Sequence, residues 1–442
     1  MKKLLIAAVF VCVNVAPAFA VEVKEVVSEQ GIKAWLVEEH ALPLIAVKIA
    51  FEGSGFAYDK AGKEGRANMM AAMLTEGAGD MDSRAFSEAI ESRAIALEAG
   101  VDEDYFRVSM ETLSEHAETA FSYLALALTN PRFDADAIDR TRRQILTLQA
   151  QQEQDPSYQL MMHWNKAAFP KHPYSNPMVG TKASIAGLGK EDLKFFQSHF
   201  ITRENMVIAV VGDITPDALK RLLDDQFANL PASYKPDTKV DDTQVAAASA
   251  PEIVNFDIPQ TMVMFGLPAL KRSDPDYYNA HVMNHMLGGG GTLSSKLGKA
   301  MREARGLTYG IGSFLDPAPH APSWRGRFST RNEQAGTALS VLKDTLKTFS
   351  EGNISDEELD DAKKFITGSF VLNLDSNADV ANFLLSMQLL DLGMDYLDKR
   401  NALMEAVTKK GVADMAKRLI EADKLLVVMV GKPVLDGESK PQ

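Results

Sequence analysis

The sequence VIAVVG at residues 207–212 returns as LVVMVG at residues 426–431, 219 residues further along the chain. A second pair lies at nearly the same offset, because the apolar pattern of residues 67–74 (ANMMAAML) matches that of residues 280–287 (AHVMNHML), 213 residues later. Two pairs at almost one offset are hard to obtain by chance, and self-similarity of this kind is typical of a repeated structural unit. The chain is therefore predicted to use one unit twice.

Each half is predicted to begin with strands and to continue with helices. Extended segments rich in alternating and β-branched residues cover 34–37, 44–50 and 261–266. Apolar residues at three- and four-residue spacing predict helices over 83–95, 113–128, 332–350 and 355–372. Strands, then helices and then a closing strand predict an α+β fold of two homologous domains, each a mostly antiparallel sheet with helices packed on one face.

The boundaries of the two domains follow from composition. The stretch from Pro231 to Pro251 is rich in Asp, Ala and Thr and has little periodicity, which is typical of a linker. The predicted segments are a signal peptide at 1–20, an N-terminal domain at 21–232, a linker at 233–251 and a C-terminal domain at 252–442.

Composition excludes several classes of function. The 442 residues carry 47 Lys and Arg against 60 Asp and Glu, a formal net charge of −13. An acidic chain without a long Lys/Arg cluster binds polyanions poorly, so nucleic acid is not an expected partner. A single cysteine excludes a disulfide framework and any metal site built from several cysteines.

The N-terminal segment reads as an export signal. Lys2 and Lys3 are followed by an apolar run over 4–13 and by the small-x-small tripeptide Ala18-Phe19-Ala20. The apolar run is much shorter than the roughly 20 residues that span a bilayer, which favours cleavage after the tripeptide over a membrane anchor. The expected product is a periplasmic or secreted protein, not attached to a membrane, that has lost its only cysteine, Cys12.

Two blocks of sequence resemble the pitrilysin/insulinase family of zinc peptidases (peptidase family M16), in particular its two-domain members related to mitochondrial processing peptidase. The first block is HPYSNP at 172–177, followed by Gly180-Thr181. The second is LGGG at 287–290, followed by SSKL at 294–297 and REARGLTY at 302–309. The resemblance runs over nearly the whole predicted mature chain and implies the fold of that family.

The resemblance also identifies a lost metal site. Active members of the family bind zinc through H-x-x-E-H on the first helix, where both histidines ligate the metal and the glutamate takes a proton from the bound water. In this sequence Asn68 and Ala72 stand at the positions of the histidines and Ala71 at that of the glutamate. Alanine methyl groups can neither ligate a metal nor accept a proton.

A third zinc ligand of the family, a glutamate about seventy-five residues further on, is missing too. The position would fall near Leu148 or Gln149, and neither is a carboxylate. We therefore expect neither zinc nor peptide hydrolysis at this place when the chain is alone.

A pair of histidines in the second half has the spacing of the zinc motif. Residues 281–285 read His-Val-Met-Asn-His on the helix that repeats the first one. The spacing of His281 and His285 could hold a metal, but Asn284 replaces the catalytic base and no third carboxylate is evident. Packed or hydrogen-bonded histidines are the expected interpretation, and an unusual metal site remains a weaker alternative.

An arginine and a tyrosine are the candidate functional residues. The resemblance implies an active-site Arg seven residues before a Tyr in the C-terminal half, which here are Arg302 and Tyr309. In the family the pair faces the zinc across a cavity and binds the peptide and its scissile carbonyl; a guanidinium and a phenol both donate hydrogen bonds to such oxygens. From spacing alone, Arg302 could equally be a solvated helix-end charge and Tyr309 a packed strand residue. Arg305, in the same turn, is expected to be a surface residue.

The glycine run at 288–291 could suggest a phosphate loop. No Lys-Ser/Thr follows it and no strand precedes it, so phosphate binding is not favoured. Glycines here are expected to let helix and loop backbones approach closely.

Loss of the metal half together with retention of the Arg/Tyr half suggests a shared active site. The first hypothesis is the non-zinc subunit of an exported heterodimeric metallopeptidase, in which Arg302 and Tyr309 act on a peptide or unfolded polypeptide at the zinc of a paralogous partner. This chain itself would hold no cofactor. The alternative is a catalytically inactive binding or assembly protein of the same fold.

Overall fold

The computed structural model describes residues 22–289, 291 and 293–435, so the predicted signal peptide at 1–20 lies outside the described residues. Within the described part, no helix is both long and apolar enough to cross a membrane.

The strands fall into two groups, one in each half of the chain. Those of the first half are β1 (Lys24–Val27), β2 (Lys33–Glu38), β3 (Leu44–Glu52), β4 (Gly77–Ala78), β5 (Met81–Asp82), β6 (Ala96–Val101), β7 (Tyr105–Leu113) and β8 (Met206–Gly212). Those of the second half are β9 (Glu252–Asn255), β10 (Gln260–Pro268), β11 (Ile311–Asp316), β12 (Ser323–Arg331) and β13 (Leu426–Gly431).

The helices follow the same division. The first half contains α1 (Arg66–Ala72), α2 (Ser83–Glu91), α3 (Ala117–Thr129), α4 (Ala135–Gln152), α5 (Pro156–Ala168), α6 (Lys182–Gly187), α7 (Lys190–Phe200) and α8 (Pro216–Phe227). The second half contains α9 (Tyr277–Leu287), a π-helical turn (Gly298–Glu303), α10 (Ala335–Ser350), α11 (Asp356–Gly368), α12 (Asn377–Leu389), α13 (Tyr396–Glu405) and α14 (Lys409–Leu419). Short 3-10 helices lie at Phe56–Tyr58, Ser114–His116, Pro173–Ser175, Asn332–Gln334, Phe370–Asn373 and Ala422–Lys424.

Each half forms one mostly antiparallel sheet, as predicted. The first sheet has the order β1-β2-β8-β3-β7-β6 and the second the order β11-β12-β10-β13-β9, while β4 and β5 form a separate small hairpin. The pairs β2–β8 and β9–β13 are parallel and the other neighbours are antiparallel. The repeated sequences that close each half, β8 and β13, thus lie inside the sheets next to β3 and β10.

Alternation along β3 explains how the first sheet is buried. Ile45 and Phe51 point to the core under the helices of their own half, whereas Ala46 and Ala50 point to the opposite face. Both faces are apolar, so both must be covered.

The second face of each sheet is covered by a helix from the other half. Helix α12 packs on β3 and β8 of the first sheet, and α5 packs on β10 and β13 of the second. Ala46 and Ala209 of the sheet are small and allow α12 to approach closely. Leu384 and Leu385 of α12 are buried against them. Gln388 of the same helix donates from Nε2 to the Ile208 carbonyl oxygen at 3.0 Å.

Helix α5 makes the reciprocal contact through a tryptophan. Trp164 is fully buried in a cluster with Val428 and Val430 of β13. Gly266 of β10 makes room for the indole, because a Cβ at that position would lie 2.7 Å from Trp164 Cη2 and 2.5 Å from the Trp324 carbonyl oxygen.

The segment predicted as a linker, 233–251, contains neither helix nor strand but is fixed along its length. Tyr234 donates to the Gly53 carbonyl oxygen at 2.5 Å, and Asp237 accepts from buried Arg66 at 3.0 Å. Val240 is buried beside Trp164 in the contact between the halves. The segment is therefore an irregular connection that is packed against the rest of the protein.

The helix predicted over 83–95 ends earlier than expected. It begins as predicted, because the Asp82 carboxylate accepts from the Ala85 N–H at 2.8 Å and caps it. It ends at Glu91 because Ala94 adopts a left-handed conformation (φ 53°) that turns the chain into β6.

Gly266→Ala is expected to weaken the contact between the halves. The added methyl group has no space beside Trp164 and should lower the free energy of unfolding by about 1–3 kcal/mol. Gly100→Ala, in strand β6, is the matched control, because a Cβ there meets no atom within 4 Å. Chemical denaturation of both variants checks this; equal stabilities would contradict the described packing of α5.

Candidate functional site

Helix α1 carries the degenerate metal motif on its outer side. Met69 and Met70 are fully buried in the core, whereas Asn68 and Ala71 are half-buried and Ala72 is exposed. The helix lies beside β6, the edge strand of the first sheet. The positions of the family's ligands therefore face outward from the core, but their side chains cannot hold zinc.

The two residues near the third ligand position do not restore the site. Leu148 is an exposed apolar residue of α4. Gln149 is buried and donates from Nε2 to the carbonyl oxygens of Val179 and Gly180 at 3.0 and 2.9 Å, so it anchors the loop before α6. Across the described residues, no group of three or more His, Cys, Asp and Glu side chains could hold a metal ion.

The histidine pair of α9 is packed against aromatic rings. The His281 ring stacks on Tyr277, with centroids 6.4 Å apart, and the His285 ring stacks on Phe365 at 4.9 Å. Burial, with a contribution from the nearby Arg400 charge, lowers the pKa of His281 to about 4. Both contacts agree with the packed interpretation of the pair.

Asn284, at the position of the catalytic base in this second motif, points into the fold. Its Oδ1 accepts from Ser313 Oγ at 2.8 Å and from Trp324 Nε1 at 2.9 Å. The side chain therefore ties α9 to strands β11 and β12 and does not face solvent.

Arg302 and Tyr309 meet at the surface. Arg302 ends in a guanidinium whose Cζ lies 4.8 Å from the centroid of the Tyr309 ring, a cation–π contact that fixes the two side chains together. Tyr309 is 88% exposed and lies in the turn before β11, so it is not a packed strand residue. No carboxylate in the described part of the chain lies within ion-pair distance of Arg302.

Local structure holds this pair in place. Arg302 belongs to the π-helical turn Gly298–Glu303, a conformation that occurs frequently at functional sites. On either side of Tyr309, Thr330 Oγ1 donates to the Leu307 carbonyl oxygen at 2.6 Å and Thr308 Oγ1 donates to the Gly310 carbonyl oxygen at 2.8 Å.

A cleft of about 680 Å³ opens beside Tyr309. Strands β10, β11 and β12 form its floor. Leu160 of α5, the helix from the first half that packs on this sheet, lines it as well. The lining includes apolar Met262 and Phe314 and the exposed Arg327. The sequence did not identify Leu160 or Arg327 as site residues. The alternating arginines of β12 were the only pattern that could have indicated Arg327.

The glycine run packs as expected. A Cβ at Gly289 would lie 2.5 Å from His285 Cα, and one at Gly288 would lie 2.7 Å from Ser313 Oγ. The Ser313 N–H donates to the Gly288 carbonyl oxygen at 2.7 Å, so this part of the run covers the outer edge of β11.

Comparison with known proteins covers both halves. A family model described as insulinase (peptidase family M16) matches residues 44–182, and one described as the peptidase M16 inactive domain matches residues 187–366. A crystal structure of a peptidase M16 inactive domain from Pseudomonas fluorescens is 28% identical, with a TM-score of 0.85 over 94% of this chain and 100% of that one.

Similar sequences are described either as non-peptidase homologues or as zinc proteases. The non-peptidase homolog YmxG of Helicobacter pylori is 26% identical over 402 residues, which are 90% of this chain and 91% of the relative. An uncharacterized zinc protease of Mycobacterium leprae is 25% identical over 354 residues, 78% of each chain. The residues at the motif positions, and not overall similarity, decide to which kind this chain corresponds.

The neutral His281 should make stability depend on pH in mild acid. The unfolded chain binds a proton at His281 near pH 6.5, but the folded chain does so only near pH 4. The free energy of unfolding should therefore fall as the pH decreases through this window, and His281→Gln should reduce the fall by on the order of 2 kcal/mol. Denaturation at pH 8, where the histidine is neutral in both states, is the internal control; an unchanged pH slope would contradict the burial of this ring.

Proposed function

We infer, from the premise that the chain belongs to the insulinase family of peptidases (family M16), that it is the metal-free subunit of an exported, periplasmic or secreted, two-subunit peptidase. The chain itself is an inactive M16-type homologue, because the residues at its motif positions cannot bind zinc. In this proposal a paralogous subunit carries H-x-x-E-H, and Arg302 and Tyr309 act on the peptide held there.

The exposure of Tyr309 carries the proposal. At 88% exposed it is the most exposed large hydrophobic side chain among the residues that the structure describes. Aromatic rings with a polar end are enriched where a surface becomes covered by a partner or ligand. An accessible phenol fixed by a guanidinium beside a cleft is the arrangement expected of a group that acts on a second molecule.

The chemistry available to the pair is hydrogen-bond donation. The Tyr309 O–H can donate to the scissile carbonyl oxygen as negative charge develops on it, and Arg302 offers further N–H donors to the peptide. The partner's zinc and motif glutamate, when present, would supply the activated water. Arg302 and Tyr309 would thus contribute binding and stabilisation of charge without a metal of their own.

An extended peptide is the substrate form that suits this fold. An edge strand presents unpaired backbone groups to which a peptide can add as a further strand. In this chain α1 lies directly beside β6, an edge strand. A partner of the same fold that retains the zinc motif on its first helix would hold an added strand next to its metal, which favours short or unfolded polypeptides.

The alternative is a binding or assembly protein without catalytic function. The loss of every metal-ligating position and the similarity to a relative described as a non-peptidase homolog favour it. The two proposals differ in the partner: a stable complex with a chain that also lacks H-x-x-E-H supports the alternative.

Tyr309→Phe and Arg302→Ala should impair a reconstituted pair of this chain and its zinc-bearing partner. Removal of one donor to a developing oxyanion lowers kcat by about 10²- to 10³-fold, and we expect a loss of this order for Tyr309→Phe. Steady-state peptide hydrolysis by the mixed subunits measures it.

Arg305→Ala is the matched control for that experiment. Arg305 lies in the same turn, is exposed and donates to the Ala300 carbonyl oxygen instead of contacting Tyr309. Its substitution should leave hydrolysis unchanged. A reconstituted pair that is active but indifferent to both Tyr309→Phe and Arg302→Ala would contradict the shared site.

A further inference from the structure

One face of the second sheet is only partly covered. Helix α5 packs on β9, β10 and β13, so the part of the same face formed by β11 and β12 stays open and forms the floor of the cleft beside Tyr309. Alternate residues of β12 point to this open floor, because Trp324 and Phe328 point to the opposite, helix-covered core. The residues on the open side are Arg325, Arg327, Ser329 and Arg331.

These arginines differ in how their charge is balanced. Arg325 pairs with Asp316 across the strand pair and lies over the Phe314 ring. Arg327 is exposed in the cleft, and no carboxylate of the described residues lies within ion-pair distance of it. The cleft therefore presents one unpaired guanidinium group, that of Arg327, in a chain whose net charge is −13.

The repeated unit does not require this arrangement. In the first half α12 covers β3 and β8, and the open side of β7 is the equivalent surface. There Arg107 pairs with Asp102 at 2.7 Å and Lys48 pairs with Glu111 at 3.8 Å. The two cations on this face of the first half are thus paired within the chain, whereas Arg327 has no such carboxylate partner among the described residues.

We propose that the cleft beside Tyr309 binds a carboxylate of the peptide through Arg327, so that a peptide with a carboxylate at this place is preferred to a neutral or cationic one. A guanidinium matches a carboxylate in a bidentate, charge-assisted geometry, and the apolar wall of Leu160 and Met262 reduces competition from water. The inference rests on the proposed function for the view that the cleft holds peptide. The carboxylate can belong to an acidic side chain or to a C-terminus, since the recognising chemistry is the same.

Calorimetric titration of the chain alone with four decapeptides of one neutral sequence tests the proposal. The first has two central glutamates and an amidated C-terminus, the second has glutamines and an amidated C-terminus, the third has glutamines and a free C-terminus, and the fourth has lysines and an amidated C-terminus. The diglutamate peptide should bind about fivefold more tightly than its amidated glutamine counterpart, the gain expected of a partly exposed ion pair. If the third peptide alone shows the gain, the C-terminus is the group recognised.

Charge substitution at Arg327 assigns the effect to this residue. Arg327→Gln should abolish the difference between the glutamate and glutamine peptides, and Arg327→Glu should reverse it in favour of the lysine peptide. Arg305→Gln makes the same change of charge outside the cleft and should leave the preference intact. Unchanged thermal unfolding of the variants excludes a loss of fold.

Three outcomes would overturn the proposal: equal affinities for all four peptides, no measurable binding of a carboxylate-bearing peptide, or a preference that persists in Arg327→Glu. Because binding to the chain alone needs no partner, these outcomes are separate from those of the reconstituted pair. Indifference of an active pair to both Tyr309→Phe and Arg302→Ala, alongside an Arg327-dependent preference, would contradict the shared site only.

Discussion

Each half covers one face of the other half's sheet with a helix, α5 from the first half and α12 from the second. The rest of the structure depends on this exchange of helices. A sheet whose two faces are both apolar cannot leave one of them in water, and the helices that each half packs on its own sheet cover only one face. The missing cover comes from the other half, through Leu384 on the first sheet and Trp164 on the second. The halves are therefore parts of one packed body, in spite of their separate cores.

The same exchange shapes the candidate site. Helix α5 covers only part of the second sheet, and its Leu160 forms one wall of the cleft where the cover ends. The unpaired Arg327 and the exposed Tyr309 lie at the uncovered part. On the equivalent face of the first half Lys48 and Arg107 are both paired, and the motif helix carries Asn68 and Ala72. Two copies of one unit have thus diverged, one losing its metal ligands and the other keeping an accessible pair of donors.

Sequence patterns predicted the parts of the fold that depend on local order. The strands β8 and β13 are continuous apolar runs, and their repetition predicted two similar sheets. The exchange could not be predicted, because an apolar stripe on α5 or α12 does not say which sheet it will cover. The sequence also could not predict that Arg327 has no ion-pair partner or that Asn284 points into the fold. Both properties depend on the register between strands and helices that are distant in sequence. The pair Arg302 and Tyr309 was found only through resemblance to a family, and its geometry needed the structure.

A shared active site requires Tyr309 to lie close to the partner's metal, and this distance can be measured. Cys12, in the predicted signal peptide, is the only cysteine, so a nitroxide at Tyr309→Cys would be the single label of a chain without that segment. With cobalt in place of zinc in the partner, strong paramagnetic relaxation of this label is expected on complex formation, and a weaker effect on a label at Lys190→Cys, an exposed position at the start of α7 in the first half. A label at position 309 that does not sense the cobalt in a formed complex would contradict a shared active site.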